Sequence, residues 1–421
     1  MTVPIDLDNQ PGAGIKRLTR RLRALRGAYP RQFWLLFAGM LISTLGASMV
    51  WPFLMIYVSE KLALPLATVA SLMTLNAVFG LAASFIAGPM TDRVGRKWVM
   101  VVSLAMNSLA YLLMIQADTL AGFAILLSIS GAFNPLYRVG ADAMMADLVP
   151  AEQRLEAYSL LRTSNNMGIA LGPVIGGFVA SISYSIAFGC AAAGLAAFSL
   201  LIAFFARETL VRYVGEARPG REKLGGYGRV LKDTPFMAFI GIFTLAQMCA
   251  TLIWVLLGVY AKQNFQVPEN QYGWIATTNA LMVVFFQMPM THITKRYSNL
   301  RVLAVGSLFY ACGVGSVALG QGFWGFWISM VILTIGELML SPTATAYTAN
   351  LAPADMRGRY MSLYGLTWGG AAGIAPVIGG LINDRLGPVY IWYAGLLVGL
   401  AAVFGFILMA RRFPQTAKAA G

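Results

Sequence analysis

Three ionisable side chains stand inside long apolar runs of this chain: Arg138 and Asp142 in FNPLYRVGAD, and Glu337 in TIGELMLSP. In hydrocarbon a charge costs ~2.5–3.5 kcal/mol by insertion scales, so each residue marks a functional position by default. Glu337 is the fifteenth residue of a run spanning 323–347. A carboxyl at such depth suits reversible proton binding; its other reading is a carboxylic acid hydrogen-bonded between helices. Arg138 and Asp142 are four apart, on one face of a helix, where they can pair as a structural unit or serve chemistry. Enzyme chemistry has little to work with. The lone histidine, His292, stands beside Lys295 and Arg296 at the end of a run, and Cys190, Cys249 and Cys312 are scattered among apolar neighbours. Neither a metal cluster nor a disulfide framework follows from that spacing. The phosphate-binding pattern GxxxxGK[ST] is absent, which argues against ATP-driven work by this chain alone.

The elements that position these residues are hydrophobic throughout. Of 421 residues, 58% are hydrophobic and 11% charged, against about 25% charged in soluble domains. Runs of about 20 apolar residues recur, each long enough to cross a ~30 Å hydrocarbon core. Twelve such spans are expected at 32–58, 65–89, 98–116, 120–146, 158–181, 184–206, 235–260, 271–292, 302–320, 323–347, 360–382 and 389–410. The chain therefore reads as an all-α, polytopic membrane protein. The expected units are a basic N-terminal arm (1–31), a six-span bundle (32–206), a polar linker (207–234), a second six-span bundle (235–410) and a tail (411–421).

The net charge of +14 could indicate nucleic acid, so its distribution decides. With the N-terminus inside, 27 of 31 basic residues fall on the cytoplasmic face; Lys61, Lys262 and Arg385 fall opposite, and Arg138 within a span. That bias is the positive-inside rule and puts both termini in the cytoplasm. The expected charge partner is anionic lipid, not nucleic acid. In GIKRLTRRLRALRG, Ile15, Leu18, Leu22 and Leu25 recur at helical spacing among basic residues, as an interfacial helix or a disordered basic tail.

PVIGG occurs twice. The stretch from Ala146 aligns with that from Ala349 without a gap, and 12 of 32 positions are identical, including Pro150/Pro353, Arg154/Arg357 and Ser159/Ser362. The offset is 203 residues, and both copies run the same way through the membrane, so the repeat is parallel. In the fifth span Gly168, Gly172 and Gly176 share one face, followed through Pro173 by Gly177; in the eleventh, Gly365, Gly369 and Gly373 precede Pro376. Missing side chains let helices approach closely, and an internal proline removes a backbone hydrogen bond. These smooth faces are expected where the two halves move against each other.

With this repeat and the loop GPMTDRVGRK between spans 2 and 3, the chain resembles the major facilitator superfamily over residues 32–410. That resemblance implies two pseudo-symmetric six-helix bundles around a central cavity. It implies a cytoplasmic latch built from Gly88, Asp92, Arg93, Gly95, Arg96 and Lys97, with Asp92 facing the start of the eleventh helix and Arg96 paired with Asp147. The pattern at Gly168, Gly172, Pro173, Gly176 and Gly177 matches the antiporter signature of the drug:proton branch, and implies export of a small molecule in exchange for protons. Arg138 stands where that branch has an arginine thought to assist proton transfer; with Asp142 and Glu337 it completes the expected coupling set. The superfamily's arrangement offers Trp51, Tyr57, Asn76, Tyr137, Gln247, Trp254, Asn279, Gln287, Tyr364 and Trp368 as cavity residues. Aromatic walls with few polar anchors suit amphipathic organic cargo. The resemblance implies a bacterial inner-membrane protein that works as a monomer, with the proton gradient in place of a cofactor. A metabolite exporter, a proton-coupled importer of a lipid-like or metabolic substrate, and a membrane-embedded enzyme are the other readings.

Overall fold

The structure, a computed structural model, describes residues 29–150, 153–210, 227–353 and 356–413. The basic segment around Ile15–Leu25 and the end of the tail lie outside the described residues. Twelve long helices carry the described chain: α1 Arg31–Leu62, α2 Leu66–Val94, α3 Arg96–Met114, α4 Leu120–Leu148, α5 Arg154–Ile182, α6 Tyr184–Phe205, α7 Thr234–Phe265, α8 Glu269–Thr294, α9 Asn299–Ser316, α10 Gly322–Leu351, α11 Arg357–Leu386 and α12 Tyr390–Arg412. Each expected span maps onto one of them. A one-turn helix, Tyr227–Leu231, precedes α7. Ten of the twelve are long and apolar enough to cross a membrane by composition. The others are α8, which carries Asn279, Gln287 and His292, and α9, an 18-residue helix that opens with Asn299 and Arg301.

The 203-residue offset is written into the elements themselves. Helices α1, α2, α3 and α5 begin at 31, 66, 96 and 154; α7, α8, α9 and α11 begin 203 residues later at 234, 269, 299 and 357. Ala63 closes α1 at φ 50° and Gln266 closes α7 at φ 55°, again 203 apart. Both take the left-handed conformation that non-glycine residues seldom adopt. Packing repeats as well. In the first half α1 packs on α5 and α6, α4 on α2 and α3, and α3 on α6; in the second, α7 packs on α11 and α12, α10 on α8 and α9, and α9 on α12. Two six-helix bundles result.

Between the bundles run three principal seams: α2 against α11, α5 against α8, and α1 against α7. The linker joins the bundles at one end of the molecule, here the linker end; Leu62 and Phe265 lie at the far end. Described inter-bundle bonds gather towards the far end. Lys262 of α7 pairs with Glu60 of α1 at 3.5 Å and with Glu269 of α8, which also accepts a hydrogen bond from the Tyr184 hydroxyl of α6. Gln263 donates to Ser59 Oγ at 2.9 Å. The Asp384 carboxylate accepts the backbone N–H groups of Leu66 and Ala67 at 3.1 and 2.9 Å, capping α2 from the other bundle, an arrangement the helix dipole favours. Nearer the middle, Thr277 donates to the Ala170 carbonyl at 3.0 Å, and Thr74 to the Gly373 carbonyl. Towards the linker end the seam loosens: a Cβ at Gly88, Gly365, Gly369 or Gly370 would meet no atom within 4 Å.

Candidate functional site

A cavity of about 470 Å³ lies between the bundles, reaching from Trp51, Pro52 and Pro173 towards Met40 and Asp142 at its linker-end side. Its wall belongs almost wholly to the first bundle; the second contributes Trp254 and Ala276. Helix α4 supplies the polar stripe. Ser130, Asn134, Arg138 and Asp142 recur every four residues, so they stack along one face, and all four line the cavity. Asn134, Arg138 and Asp142 are exposed within it. Deeper polar groups are fixed by local bonds: Ser130 Oγ donates to Asn107 Oδ1 at 2.9 Å, and Asn76 Nδ2 to the Leu127 carbonyl at 2.9 Å. Thr44 Oγ1 donates to Asn165 Oδ1 at 3.0 Å, tying α1 to α5 across the wall.

Among the described residues, ion pairs join Lys61 to Asp118, Arg96 to Asp92 and Asp147, and Lys262 to Glu60 and Glu269. None joins Arg138 to Asp142. The pairing that their spacing permits is not made: both side chains turn into the cavity instead.

Of the residues expected to line a cavity, Trp51, Asn76, Tyr137 and Trp254 do so. The others lie elsewhere. Tyr57 is buried at the far end, its hydroxyl donating to the Met114 carbonyl at 3.1 Å. Gln287 Nε2 donates to the Leu338 carbonyl and Thr291 Oγ1, both at 3.1 Å. Gln247 is buried in its own bundle, its Nε2 without a hydrogen-bond partner. Tyr364 is buried beside Thr345, and Trp368 is 47% exposed outside this wall. The expectation took both bundles to contribute alike, but the second bundle spends its amides internally. Asn279 Nδ2 donates to Glu337 Oε2 at 2.7 Å and to Thr334 Oγ1 at 3.0 Å. Glu337 is thus held on α10 by α8, and it is not among the residues that line the cavity with Arg138 and Asp142.

Asn107, Asn134 and Asn165 were not singled out by the sequence. The repeat could have found Asn134, since an offset of 203 maps it onto Glu337, just as it maps Asn76 onto Asn279 and Trp51 onto Trp254.

At the linker end, Arg96 Nε lies 3.0 Å from Asp147 Oδ2, and its Nη2 lies 3.3 Å from Asp92 Oδ1. Gly95 takes φ 110° between α2 and α3, a conformation open to glycine. Glu208, just beyond α6, completes this cluster and had no signal in the spacing. Its carboxylate accepts the backbone N–H groups of Arg96 and Lys97 at 3.0 and 3.1 Å, while Thr209 donates to Asp147 at 2.9 Å. A side chain at Gly95 would strike that carboxylate, the added Cβ standing 2.3 Å from Glu208 Oε2. Arg93 is exposed, and Lys97 lies over the Trp98 ring at 5.2 Å. Gly88 faces open space.

The α5 glycines serve a different seam from the one expected. Side chains at Gly168, Gly172 and Gly176 would clash with Thr44, Ser48 and Met49, all on α1 of the same bundle. Gly177 alone of the set meets the other bundle, where an added Cβ would stand 2.5 Å from the Glu269 carbonyl. Pro173 joins it there: its carbonyl oxygen lies 2.3 Å from where a Cβ of Gly273 on α8 would stand.

The family model described as Major Facilitator Superfamily matches residues 36–250 and 239–421. The chain is similar to a Na(+), Li(+), K(+)/H(+) antiporter of Planococcus maritimus, 25% identical over 398 residues that cover 86% of this chain and 91% of that one. It is also 25% identical over 395 residues to the multidrug resistance protein MdtH of Shigella boydii, covering 91% and 94%. The crystal structure of the nucleoside transporter NupG superposes with a TM-score of 0.78 at 11% identity, covering 90% of this chain and 99% of the other.

Proposed function

Because the chain belongs to the Major Facilitator Superfamily and is a multi-pass membrane transporter of that fold, we propose that it exports amphipathic organic compounds in exchange for protons. The linker end is then the cytoplasmic face, a placement that the distribution of basic residues supports. One observation carries the reading. Bonds between the bundles gather at the far end, beyond the cavity, while a separate intramembrane carboxyl, Glu337, is held by Asn279 and does not line it. Cargo and proton thereby have different sites, and alternating access couples them when occupancy of each favours a different arrangement of the bundles. Anionic inner-leaflet lipid suits the basic linker end, and the proton gradient supplies the energy without a bound cofactor.

The names of the relatives divide between organic drugs and alkali cations. In this chain Arg138 stands one turn from Asp142 in the same cavity, and its positive charge opposes a bare cation there. That supports organic cargo. Substrate counterflow and pH-gradient-driven transport in proteoliposomes, comparing wild type with Glu337→Gln, test the coupling. The expected result is counterflow retained and uphill accumulation lost. Accumulation at the wild-type level in the variant would remove Glu337 as the coupling site.

A further inference from the structure

Resting on that reading of the cavity, we propose that its cargo is an aromatic zwitterion, with an anionic group on Arg138, a cationic group on Asp142 and the ring against Trp51 and Trp254. The argument begins with two opposite charges that share one wall and are not paired with each other. They are four residues apart on α4, a rise of about 6 Å along the helix, and both are exposed to the cavity. Asn134 continues the stripe one turn deeper with an amide that both donates and accepts.

Alternating access must close this cavity on its cargo, removing water from both charges. A charge left buried without a partner costs far more than an exposed one. A monocation would satisfy Asp142 and strand Arg138; a monoanion would do the reverse. A zwitterion satisfies both through charge-assisted contacts. With no cargo, the two side chains can turn to each other as an (i, i+4) pair, so the empty carrier can return without stranding either. The body of the cargo follows from the rest of the wall. Trp51, 44% exposed, and Trp254 line the cavity as its aromatic surface, and about 470 Å³ admits a single drug-sized molecule. Arg138 and Asp142 thus act on cargo, while Glu337, outside this wall, is left for the proton.

A matched set of ligands tests the assignment: naphthylalanine as the zwitterion, its methyl ester as the cation, its N-acetyl derivative as the anion and the N-acetyl methyl ester as the neutral form. Calorimetric binding to the purified full-length transporter, with no pH gradient, compares wild type, Arg138→Gln and Asp142→Asn. The zwitterion is expected to bind about tenfold tighter than any other member. Arg138→Gln is expected to erase its advantage over the ester, and Asp142→Asn its advantage over the N-acetyl form. Equal binding of the ester or the neutral form, no binding by any member, or an unchanged order in both variants would overturn the proposal. Thermal melting of each variant separates loss of fold from loss of selectivity. Transport direction does not enter this measurement, so the export reading stands or falls separately in the proteoliposome assay.

Discussion

The two bundles hold matching positions and use them differently. Asn76 and Asn134 in the first correspond, 203 residues on, to Asn279 and Glu337 in the second. In the first bundle both amides line an open cavity. In the second, Asn279 is committed to the Glu337 carboxylate and to Thr334. The neighbouring residue helps to decide this. Gly131 lets the Asn76 backbone approach α4, where an added Cβ would stand 2.2 Å from the Asn76 carbonyl oxygen; its counterpart Thr334 instead supplies a hydroxyl that accepts from Asn279. Duplication preserved helix starts, helix ends and packing partners, while the polar groups diverged between a cavity wall in the first bundle and an amide–carboxylate contact in the second.

The largest expected effect comes from exchanging those chemistries. Glu337→Asn should lower pH-gradient-driven accumulation on the order of 100-fold, the scale on which a positioned acid–base group acts, with counterflow retained. Adding Asn134→Glu should not restore it, because Asn76 Nδ2 is bonded to the Leu127 carbonyl rather than facing position 134 as Asn279 faces Glu337. Recovery of uphill transport in the double variant would show that the halves are interchangeable and would break the comparison.

The two PVIGG helices give the next contrast. Gly172→Ala on α5 must displace Ser48, whose Cβ would stand 2.4 Å from the new Cβ, whereas the Cβ of Gly369→Ala on α11 meets nothing within 4 Å. Overpacking at the first site should destabilise by about 1–3 kcal/mol, visible as a lowered melting temperature in detergent, and the second should leave melting unchanged. A similar loss at both would mean that the copies serve the same seam.

Much of this architecture was legible in the sequence. The spans could be read because crossing hydrocarbon demands long apolar helices, and the duplication because 12 of 32 positions around PVIGG are identical. The site was legible only in part. Trp51 and Trp254 could be named from type and span, but whether Asn279 faces cargo or a carboxylate is settled by how α8 lies on α10, which no single-helix pattern encodes. Asn134 had no mark of its own in the fourth span, and only its 203-residue correspondence to Glu337 sets it apart. Arg138 and Asp142 looked like a pair because spacing permits one; the cavity, a property of several helices together, turns them outward. The left-handed ends at Ala63 and Gln266 had no glycine to announce them.

The far-end seal sharpens the contrast between the ends of the molecule. Lys262→Gln removes a cation bonded to Glu60 on one bundle and to Glu269 on its own. Loss of about 1 kcal/mol of closure would raise far-end opening roughly fivefold. The check is labelling of Ser48→Cys by a membrane-impermeant maleimide applied from the far side, with Cys190, Cys249 and Cys312 replaced. Unchanged labelling would assign closure to the α5–α8 seam at Pro173 and Gly177 instead.

The smallest effect is expected at the linker end, at Glu208, which no spacing or motif singled out. Its carboxylate caps α3 through the N–H groups of Arg96 and Lys97, and its position is compatible only with a glycine at 95. Substituting an N-terminal cap costs about 0.5–2 kcal/mol, and an exposed one belongs at the low end of that range, so Glu208→Ala should lower melting by only a few degrees at most. In the second bundle α9 starts behind Ser298, whose side chain makes no capping bond, and among the described residues no carboxylate is recorded on its first N–H groups. Ser298→Ala should therefore leave melting unchanged. A loss at Ser298 equal to that at Glu208 would mean that the two linker-end corners are equally supported. A loss at Glu208 alone ties the linker to the Asp92–Arg96–Asp147 cluster in the first bundle, since Thr209, the next residue, holds Asp147 directly.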